Sequence, residues 1–427
     1  VFLQWMNTQF VTESLLRSLC ATLLDVYPYA RLYQWQPGTL FFLGSDKPLD
    51  IERAMAETGR PLRDDPFHYL EKGIGSVEDV MIALTMDQVN IERFAAGSSL
   101  LTDDFNRMAT ESAVAMERNE TLSFRDSSDL LIPYSPLLQA DSWVFDDFPG
   151  GIEFSYISER LERMGFKQHA VDLAVTLQAA GDPDALLLIG MGLGRQGENF
   201  ESQRVLLSAL LQNPNSAQTR FAVLEPWLGG IARGDAPDYV LDIAGHTTDS
   251  EAAVLDGWKA ASEQDWSALV ELDDILATTR PTDLWFLHAT KLRADWRVKV
   301  TTPEFQPRLA REAIRLVDNA IAIYQDLDFY SMRIAAAFVA DDTKDVIETA
   351  RRLIYIFNGS ADRIENGVYE APPQAYDVTL SQIESVRAIV DEVRRRHYIP
   401  KYKTEQLDND LRATTVRVEA LRESITD

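Results

Sequence analysis

The chain has 427 residues, of which 46% are hydrophobic, enough for roughly two or three domains with buried cores rather than a disordered protein. Its 67 acidic and 41 basic residues give a formal charge of -26, which disfavours binding to nucleic acid and to anionic lipid surfaces. No apolar run approaches the ~20 residues of a membrane-spanning helix. The one cysteine, Cys20, excludes an intramolecular disulfide and a cysteine-rich metal site, and its apolar neighbours predict a buried thiol.

Residues 1–46 are predicted to form a strand, a helix and two further strands. Thr12 is suited to cap the helix, and Tyr27-Pro28 ends it. The alternating segment Ala30–Gln36 and the apolar segment Thr39–Leu43 follow as a hairpin. Because the chain opens with Val1–Trp5 in a strand-like pattern, without an initiator methionine, we expect it to be part of a longer protein.

Several phrases in this region carry a family resemblance. Gln4-Trp5, Tyr27-Pro28 and Leu40–Ser45, together with the later phrase Leu101–Asn106, resemble the end of the spermidine synthase-like domain. The most similar version is the bacterial one, in which that domain follows a membrane transporter-like region. The resemblance covers roughly the first quarter of the chain and implies the edge of a Rossmann-like methyltransferase fold and aminopropyl transfer. The family's glycine-rich cofactor loop and catalytic aspartate precede the matching segment, so no catalytic residue can be assigned here.

Two segments of lower regularity follow. Residues 47–112 are predicted to be a helical extension, with helices at Ile51–Thr58, Pro66–Lys72 and Val77–Met86. Residues 113–164 are interrupted by prolines and by a Pro-Gly-Gly break, and we interpret them as a connecting segment.

From residue 165 to residue 358 the sequence repeats a pattern of turn, amphipathic helix, stop and second amphipathic helix. The turn recurs at Gly165, Gly197, Gly234 and Gln264-Asp265, with spacings of 32, 37 and 31 residues, close to the ~34 of tetratricopeptide repeats. The stop between helices is marked by proline, as at Pro183, Pro214 and Pro281. The third repeat lacks this proline, and Pro226 is expected to kink a helix.

The fold class predicted from these patterns is mainly α, a tetratricopeptide-like solenoid of helical hairpins with a small N-terminal α/β remnant. Stacked helix pairs of this type leave a concave groove, which we expect to bind a protein or peptide. Aromatic residues and arginine dominate the binding energy of such surfaces. The candidate groove residues are therefore Arg195, Arg220, Trp227, Trp258, Trp285 and His288.

Residues 359–427 are predicted to hold the remainder of a loop and the C-terminal helices. The loop is expected at Asn358–Asp377, followed by helices at Leu380–Arg396 and Thr404–Ser424. The basic cluster Arg394–His397 is typical of a helix C-terminus, where cations are favoured by the helix dipole.

A dinucleotide-binding site is the sharpest alternative. Gly192–Gly197 fits the glycine pattern of such sites, if Leu186–Ile189 is a strand and Arg220–Glu225 is a second strand ending in an acid. The apolar residues of the second segment keep helical spacing, and Glu225 lies 28 residues after Gly197. The sequence therefore favours a turn between repeat helices.

No catalytic residue, cofactor or metal site is predicted. No two of His68, His169, His246, His288 and His397 have metal-ligand spacing, and the pair Asp103-Asp104 reads as a capped loop rather than as an acid–base pair. The expected function is a non-catalytic, protein-binding scaffold in the cytoplasm. Segments upstream of Val1 could attach it to the inner face of a bacterial membrane. The remaining alternatives are part of an active polyamine aminopropyltransferase, in which the helices serve stability or oligomerisation, and a nucleotide-binding enzyme.

Overall fold

The structure, a computed structural model, is mainly α-helical with a small four-stranded sheet near the N-terminus. This confirms the fold class at that level. It describes residues 1–36, 38–58, 66–70, 72–102, 107–118, 120–146, 148, 151–164, 166–299, 306–324, 326–365, 373–397 and 404–426. The chain divides into two compact units. Unit 1 comprises Val1–Val223 and Pro281–Leu284, and unit 2 comprises Leu224–Arg280 and Trp285–Asp427.

The N-terminal sheet has the predicted succession of strand, helix, strand and strand. The elements are β1 (Phe2–Asn7), α1 (Glu13–Val26), β2 (Tyr29–Gln36), β3 (Thr39–Ser45) and β4 (Leu84–Met86). The strand order is β1-β3-β2-β4, and every neighbouring pair is antiparallel. Since β1 and β2 are both antiparallel to β3, they run parallel to each other, and α1 makes the crossover that parallel strands require.

Helix α1 covers one face of this sheet. As predicted, Thr12 caps the helix by accepting a hydrogen bond from the amide of Leu15 at 3.3 Å. The buried side of α1, including Leu16 and Cys20, packs with Leu40 and other apolar residues of the strands. Burial also raises the pKa of the Cys20 thiol to about 12, as expected of an inert packed cysteine.

Strand β4 corrects the prediction of a helix over Val77–Met86. The helix ends at Ala83, and Leu84–Met86 pairs with β2 opposite Leu32 and Tyr33. These three residues are buried, and so short a segment is compatible with either a strand or a helix. Pairing with a strand some fifty residues away along the chain, which local periodicity does not report, decides the outcome.

The rest of unit 1 consists of helices and short connections. The helices are α2 (Ile51–Thr58), α3 (Pro66–Leu70), α4 (Val77–Ala83), α5 (Gln88–Ala95), α6 (Arg107–Glu117), α7 (Phe124–Leu131), α8 (Trp143–Asp146), α9 (Phe154–Arg163), α10 (Lys167–Ala180), α11 (Ala185–Arg195), α12 (Asn199–Gln212) and α13 (Ala217–Leu224), whose last residue belongs to unit 2. Residues 113–164, interpreted from sequence as a connecting segment, thus contain helices of their own.

Unit 2 is a run of helices in which alternate members pack on one another. Its helices are α14 (Leu228–Arg233), α15 (Asp238–Ala244), α16 (Asp249–Glu263), α17 (Trp266–Leu276), α18 (Phe286–Lys299), α19 (Gln306–Tyr324), α20 (Leu327–Val339), α21 (Thr343–Glu365), α22 (Pro373–His397) and α23 (Glu405–Thr426). Helix α14 contacts α16, α16 contacts α18, α18 contacts α20, and α20 contacts α22. Each of α17, α19 and α21 also packs on the helices before and after it in the sequence.

The predicted turns end helices through residues with left-handed backbone conformation. Gly234 ends α14 with φ of 73°, Gly197 follows α11 with φ of 86°, and Gln264 ends α16 with φ of 58°. Glycine adopts this conformation without a steric penalty. Pro226 interrupts its helix as predicted, since residues 225–227 form a 3-10 turn. Gly165, the first predicted turn, lies outside the described residues, as do Asp103-Asp104.

The loop predicted at Asn358–Asp377 is wrong at both ends. Helix α21 continues to Glu365, and α22 begins at Pro373; the residues between lie outside the described part. Gly359 has open space around it, and Phe357 and Ala361 are buried on the apolar side of α21. Packing of this side therefore outweighs the unfavourable helix propensity of one glycine, about 1 kcal/mol.

A buried ion pair fixes α9 against α4 in unit 1. Arg160 donates to Asp79 at 2.9 Å, and both side chains are almost fully buried. The same carboxylate accepts from the Tyr156 hydroxyl at 2.8 Å and from the amide of Gly75 at 2.7 Å. Asp79 therefore joins two helices and the turn before α4.

We expect Asp79→Ala to lower the free energy of unfolding by about 3–5 kcal/mol, because it leaves the Arg160 guanidinium buried without its carboxylate. The control is Glu159→Ala, which removes an ion pair of more exposed side chains with Arg163 on the same helix. That change should cost about 1 kcal/mol or less. Urea unfolding followed by circular dichroism measures both, and equal losses would contradict the role given to Asp79.

Candidate functional site

The six predicted groove residues fall in both units, two in unit 1 and four in unit 2. Arg195 lies in the last turn of α11 and forms an ion pair with Glu162 at 2.9 Å. Arg220, on α13, is buried, with 7% of its surface exposed, and its guanidinium approaches the carbonyl of Pro214 at 3.5 Å. The Arg220 side chain could therefore contact a partner only after a conformational change that exposes it.

In unit 2 the structure brings Trp258 and His288 together. Trp258 lies on α16 and His288 on α18, and their ring centroids are 5.8 Å apart with the rings tilted by 60°. Both side chains are partly exposed. The packing of α16 on α18 produces this contact between residues thirty positions apart in the sequence.

Two further side chains, which the sequence-based search missed, complete the cluster. His288 shares a hydrogen bond with Glu225 between Nε2 and Oε1 at 3.0 Å, and the Nζ atom of Lys291 lies 5.5 Å from the centre of the Trp258 ring. A cation at this distance is attracted by the ring's electron density. Lys291 could have been found from its i,i+3 spacing to His288 on a helix, whereas Glu225 is brought in only by the fold. We name Glu225, Trp258, His288 and Lys291 the aromatic–charged cluster.

The other two tryptophans differ in accessibility. Trp227, in the 3-10 turn that begins with Glu225, is partly exposed like Trp258, and the indole Nε1 atoms of both are buried without a hydrogen-bond partner among the described residues. Trp285, just before α18, is buried, with 4% of its surface exposed. Among the partly exposed tryptophans of this group, Trp258 is the one that contacts His288 and Lys291, so the candidate surface of unit 2 is centred on Trp258 and His288.

The opposite side of α18 is anchored to α17 by one carboxylate. Asp273 accepts hydrogen bonds from Arg297 at 2.7 Å, from the Trp296 indole at 3.0 Å and from Arg293 at 3.2 Å. Burial alone would raise the pKa of Asp273, but the hydrogen bonds from Arg297 and Trp296 and the two nearby positive charges outweigh it and hold the pKa at about 2. Asp273 thereby sets the position of the helix that carries His288 and Lys291.

A stripe of alternating charge continues along α18 from the cluster. Asp295 lies one turn beyond Lys291, and Lys299 lies one turn beyond Asp295, 3.8 Å from its carboxylate. The Lys299 Nζ atom lies 4.8 Å from the centre of the Trp266 ring. Burial raises the pKa of Asp295, although both lysines oppose the shift. The accessible side of α18 therefore combines aromatic rings with both signs of charge.

The segments proposed for a dinucleotide site are helical. Leu186–Ile189, Gly192 and Gly194 all lie within α11, and only Gly197 lies in the turn after it. Arg220–Leu224 belongs to α13. The strand–loop–helix arrangement that a dinucleotide fingerprint requires is thus replaced here by two helices, as the residue spacing favoured.

Within the described ranges, no group of three or more His, Cys, Asp or Glu side chains is arranged to hold a metal ion. None of the described helices is both long and apolar enough to cross a bilayer. No protein-family model, curated protein or solved structure matches the chain.

Asp273 should make stability depend on pH in the acid range. Its pKa is lowered from 3.8 to about 2, so its contribution is complete above about pH 4 and is lost as the pH falls towards 2. We expect Asp273→Asn to cost about 2 kcal/mol of unfolding free energy at pH 6 and about 1 kcal/mol at pH 3. Urea unfolding at the two pH values tests this, and a constant difference would show that the charge of Asp273 does not matter.

The neighbouring Asp274 provides the control for this experiment. It is exposed and makes no hydrogen bond or ion pair within the described residues. Asp274→Asn should therefore change the unfolding free energy by about 0.5 kcal/mol or less.

Proposed function

We propose that the chain is a non-catalytic scaffold whose helical region, residues 165–358, binds a protein or peptide partner. The observation that carries the proposal is the aromatic–charged cluster. Trp258 and His288 meet between two packed helices with their rings partly exposed, flanked by Glu225 and Lys291 of opposite charge. Such a surface offers flat apolar contact area, and its carboxylate and ammonium groups can hydrogen-bond to the backbone of a bound peptide and orient it.

The energetics of protein interfaces support this use of Trp258. Tryptophan is enriched among the few residues that carry most of the binding energy of an interface. It presents a large rigid surface, and ordering it costs little conformational entropy because only two side-chain torsions must be fixed. Held against His288 and near Lys291, Trp258 is already partly ordered before a partner arrives. Preorganisation of this kind raises affinity by lowering the entropy lost on binding.

The alternate packing of helices in unit 2 supports a tetratricopeptide-like array as the framework of the scaffold. In such arrays every second helix forms one layer, and α14, α16, α18 and α20 contact one another in that manner. The aromatic–charged cluster draws on α16 and α18 of this layer and on the 3-10 turn immediately before α14. Repeats supply extended binding surfaces because the same face recurs from one helix pair to the next.

The N-terminal sheet supports the second part of the proposal, that residues 1–46 are the edge of a larger spermidine synthase-like α/β sheet. Among the described residues, strand β1 pairs only with β3; its side chains are uncharged, with Leu3 62% and Trp5 56% exposed. Strands that are apolar on both faces are typical of the interior of parallel sheets covered by helices. A parallel strand beside β1 and a helix over Leu3 and Trp5 would complete that environment.

This edge also favours the second candidate function, in which the chain is part of an active polyamine aminopropyltransferase and the helices stabilise it or mediate oligomerisation. In the first candidate function the helical region binds a separate protein or peptide, whereas in the second it packs on the enzyme itself or on another copy of it. We place the chain in the cytoplasm, where a single buried thiol such as Cys20 remains reduced.

Peptides selected from a random displayed library against the full chain test the scaffold. We expect selected peptides to bind with an affinity that falls about tenfold or more in Trp258→Ala, because the ring supplies the main apolar contact. Fluorescence polarisation measures the affinities, and Lys291→Gln offers a milder change that preserves packing.

Tyr355→Ala is the matched control, since Tyr355 on α21 is an aromatic residue with 79% of its surface exposed and lies outside the cluster. Its affinity for the same peptides should equal that of the unaltered chain. Failure to select any peptide, or equal losses in Trp258→Ala and Tyr355→Ala, would refute the proposal. Melting temperatures of all variants distinguish lost binding from lost folding.

A further inference from the structure

A second surface of unit 2 has a different chemistry from the aromatic–charged cluster. Where α16 begins and α17 ends, the surface has a shallow, open depression of about 530 Å³, which we call the cavity. Five of its six lining residues are polar or acidic and one is aliphatic, although much of the surface that they expose is hydrocarbon. The lining residues are Thr248, Asp249, Ser250, Asp274, Ile275 and Thr278.

The two carboxylates of this cavity are not neutralised. Asp249 and Asp274 are exposed, and neither makes an ion pair with another described residue. Around them, residues 224–280 carry twelve acidic and three basic side chains, a net charge of -9 within 57 residues. The negative end of the α17 dipole adds to the field at Asp274. The positive end of α16 opposes it, but Asp249 and Glu251 in the first turn of that helix compensate.

The apolar part of the surface is a helix face that no described residue covers. Ile275 in the cavity and Val270, five residues earlier on α17, are exposed by 40% and 46%. Glu271 lies beside Val270 on the same exposed face and, like Asp274, lacks an ion-pair partner among the described residues. The face therefore alternates carboxylates with branched aliphatic side chains.

We propose that this α16–α17 surface binds a lysine- or arginine-rich segment of another protein, with one basic side chain seated between Asp249 and Asp274. Charge complementarity identifies the partner, because a basic segment gains from the field of the whole region as well as from the two carboxylates. Its aliphatic residues contact Ile275 and Val270, which limits the binding to segments that are both basic and apolar. The hydroxyl groups of Thr248, Ser250 and Thr278 can accept hydrogen bonds from the ammonium or guanidinium group.

Fluorescein-labelled peptides that alternate lysine and leucine pairs are the probe, measured by fluorescence polarisation against the full chain at low salt. We expect saturable binding that weakens about tenfold in the double variant Asp249→Asn, Asp274→Asn, since both carboxylates contact the bound lysine. A peptide with serine in place of leucine should bind more weakly, and Ile275→Ser should abolish this difference between the two peptides. Both substitutions to asparagine preserve shape at exposed positions, so folding is expected to be unaffected.

The double variant Asp256→Asn, Glu263→Gln is the control, because it removes the same charge from exposed positions of α16 outside the cavity lining. Its affinity should stay within about threefold of the unaltered chain. Equal weakening in the two double variants would mean that only the overall charge attracts the peptide. Equal affinity of the serine and leucine peptides for the unaltered chain would show that no apolar contact contributes. Either result, or the absence of binding, overturns the inference. If the two surfaces act separately, Trp258→Ala should bind the lysine–leucine peptide as tightly as the unaltered chain. Loss of peptide binding in Trp258→Ala would instead place the peptide at the aromatic–charged cluster and overturn the inference.

Discussion

The close approach of α16 to α18 is the contact on which the candidate site depends. A pair of amphipathic helices leaves one apolar face open, and α16 and α18 cover theirs in part by packing on the helices two positions away. Gly257 permits this approach, since a Cβ atom there would lie 2.7 Å from the Leu292 side chain. On its other side, α18 is held by Asp273. The distance between Trp258 and His288 is thus set by a residue without a side chain and by an ion pair that touches neither ring.

The parts of the fold that were predictable from sequence depend on local chemistry. Thr12 was identified as a helix cap because a hydroxyl group suits the unpaired amides of a first turn. The turns at Gly197 and Gly234 followed from the tolerance of glycine for left-handed backbone. Pro226 was expected to interrupt its helix because it lacks an amide hydrogen. Each of these effects acts within about one helical turn, so the neighbouring residues in the sequence are sufficient to predict it.

The parts that could not be predicted arise from contacts between distant segments. Strand β4 exists because Leu84–Met86 meets β2, and the neighbouring sequence is equally compatible with a helix. For the candidate site, residue type identified Trp258 and His288 but not their contact. The partnership of His288 with Glu225 spans 63 residues. The burial of Arg220 was also not predicted, because arginine is rarely buried, although the apolar run Phe221–Leu224 follows it directly.

The two surfaces of unit 2 would attract a partner through forces of different range. At the aromatic–charged cluster the charges of Glu225 and Lys291 balance, so attraction there acts at short range through ring contact. At the α16–α17 surface the unbalanced charge acts over about a Debye length, near 8 Å at physiological ionic strength. A partner that used both would be drawn in by the second and fixed in orientation by the first.

The turn between α16 and α17 has a consequence for engineering. Gln264 occupies a left-handed conformation that glycine fills at comparable turns, and its Cβ atom costs roughly 1–2 kcal/mol there. Glycine at position 264 would remove this cost and add a smaller one, the greater conformational entropy of the unfolded chain, so we expect a modest net stabilisation that makes destabilising substitutions at the two surfaces tolerable. A single turn residue thereby widens the range of binding-site variants that can be made and purified.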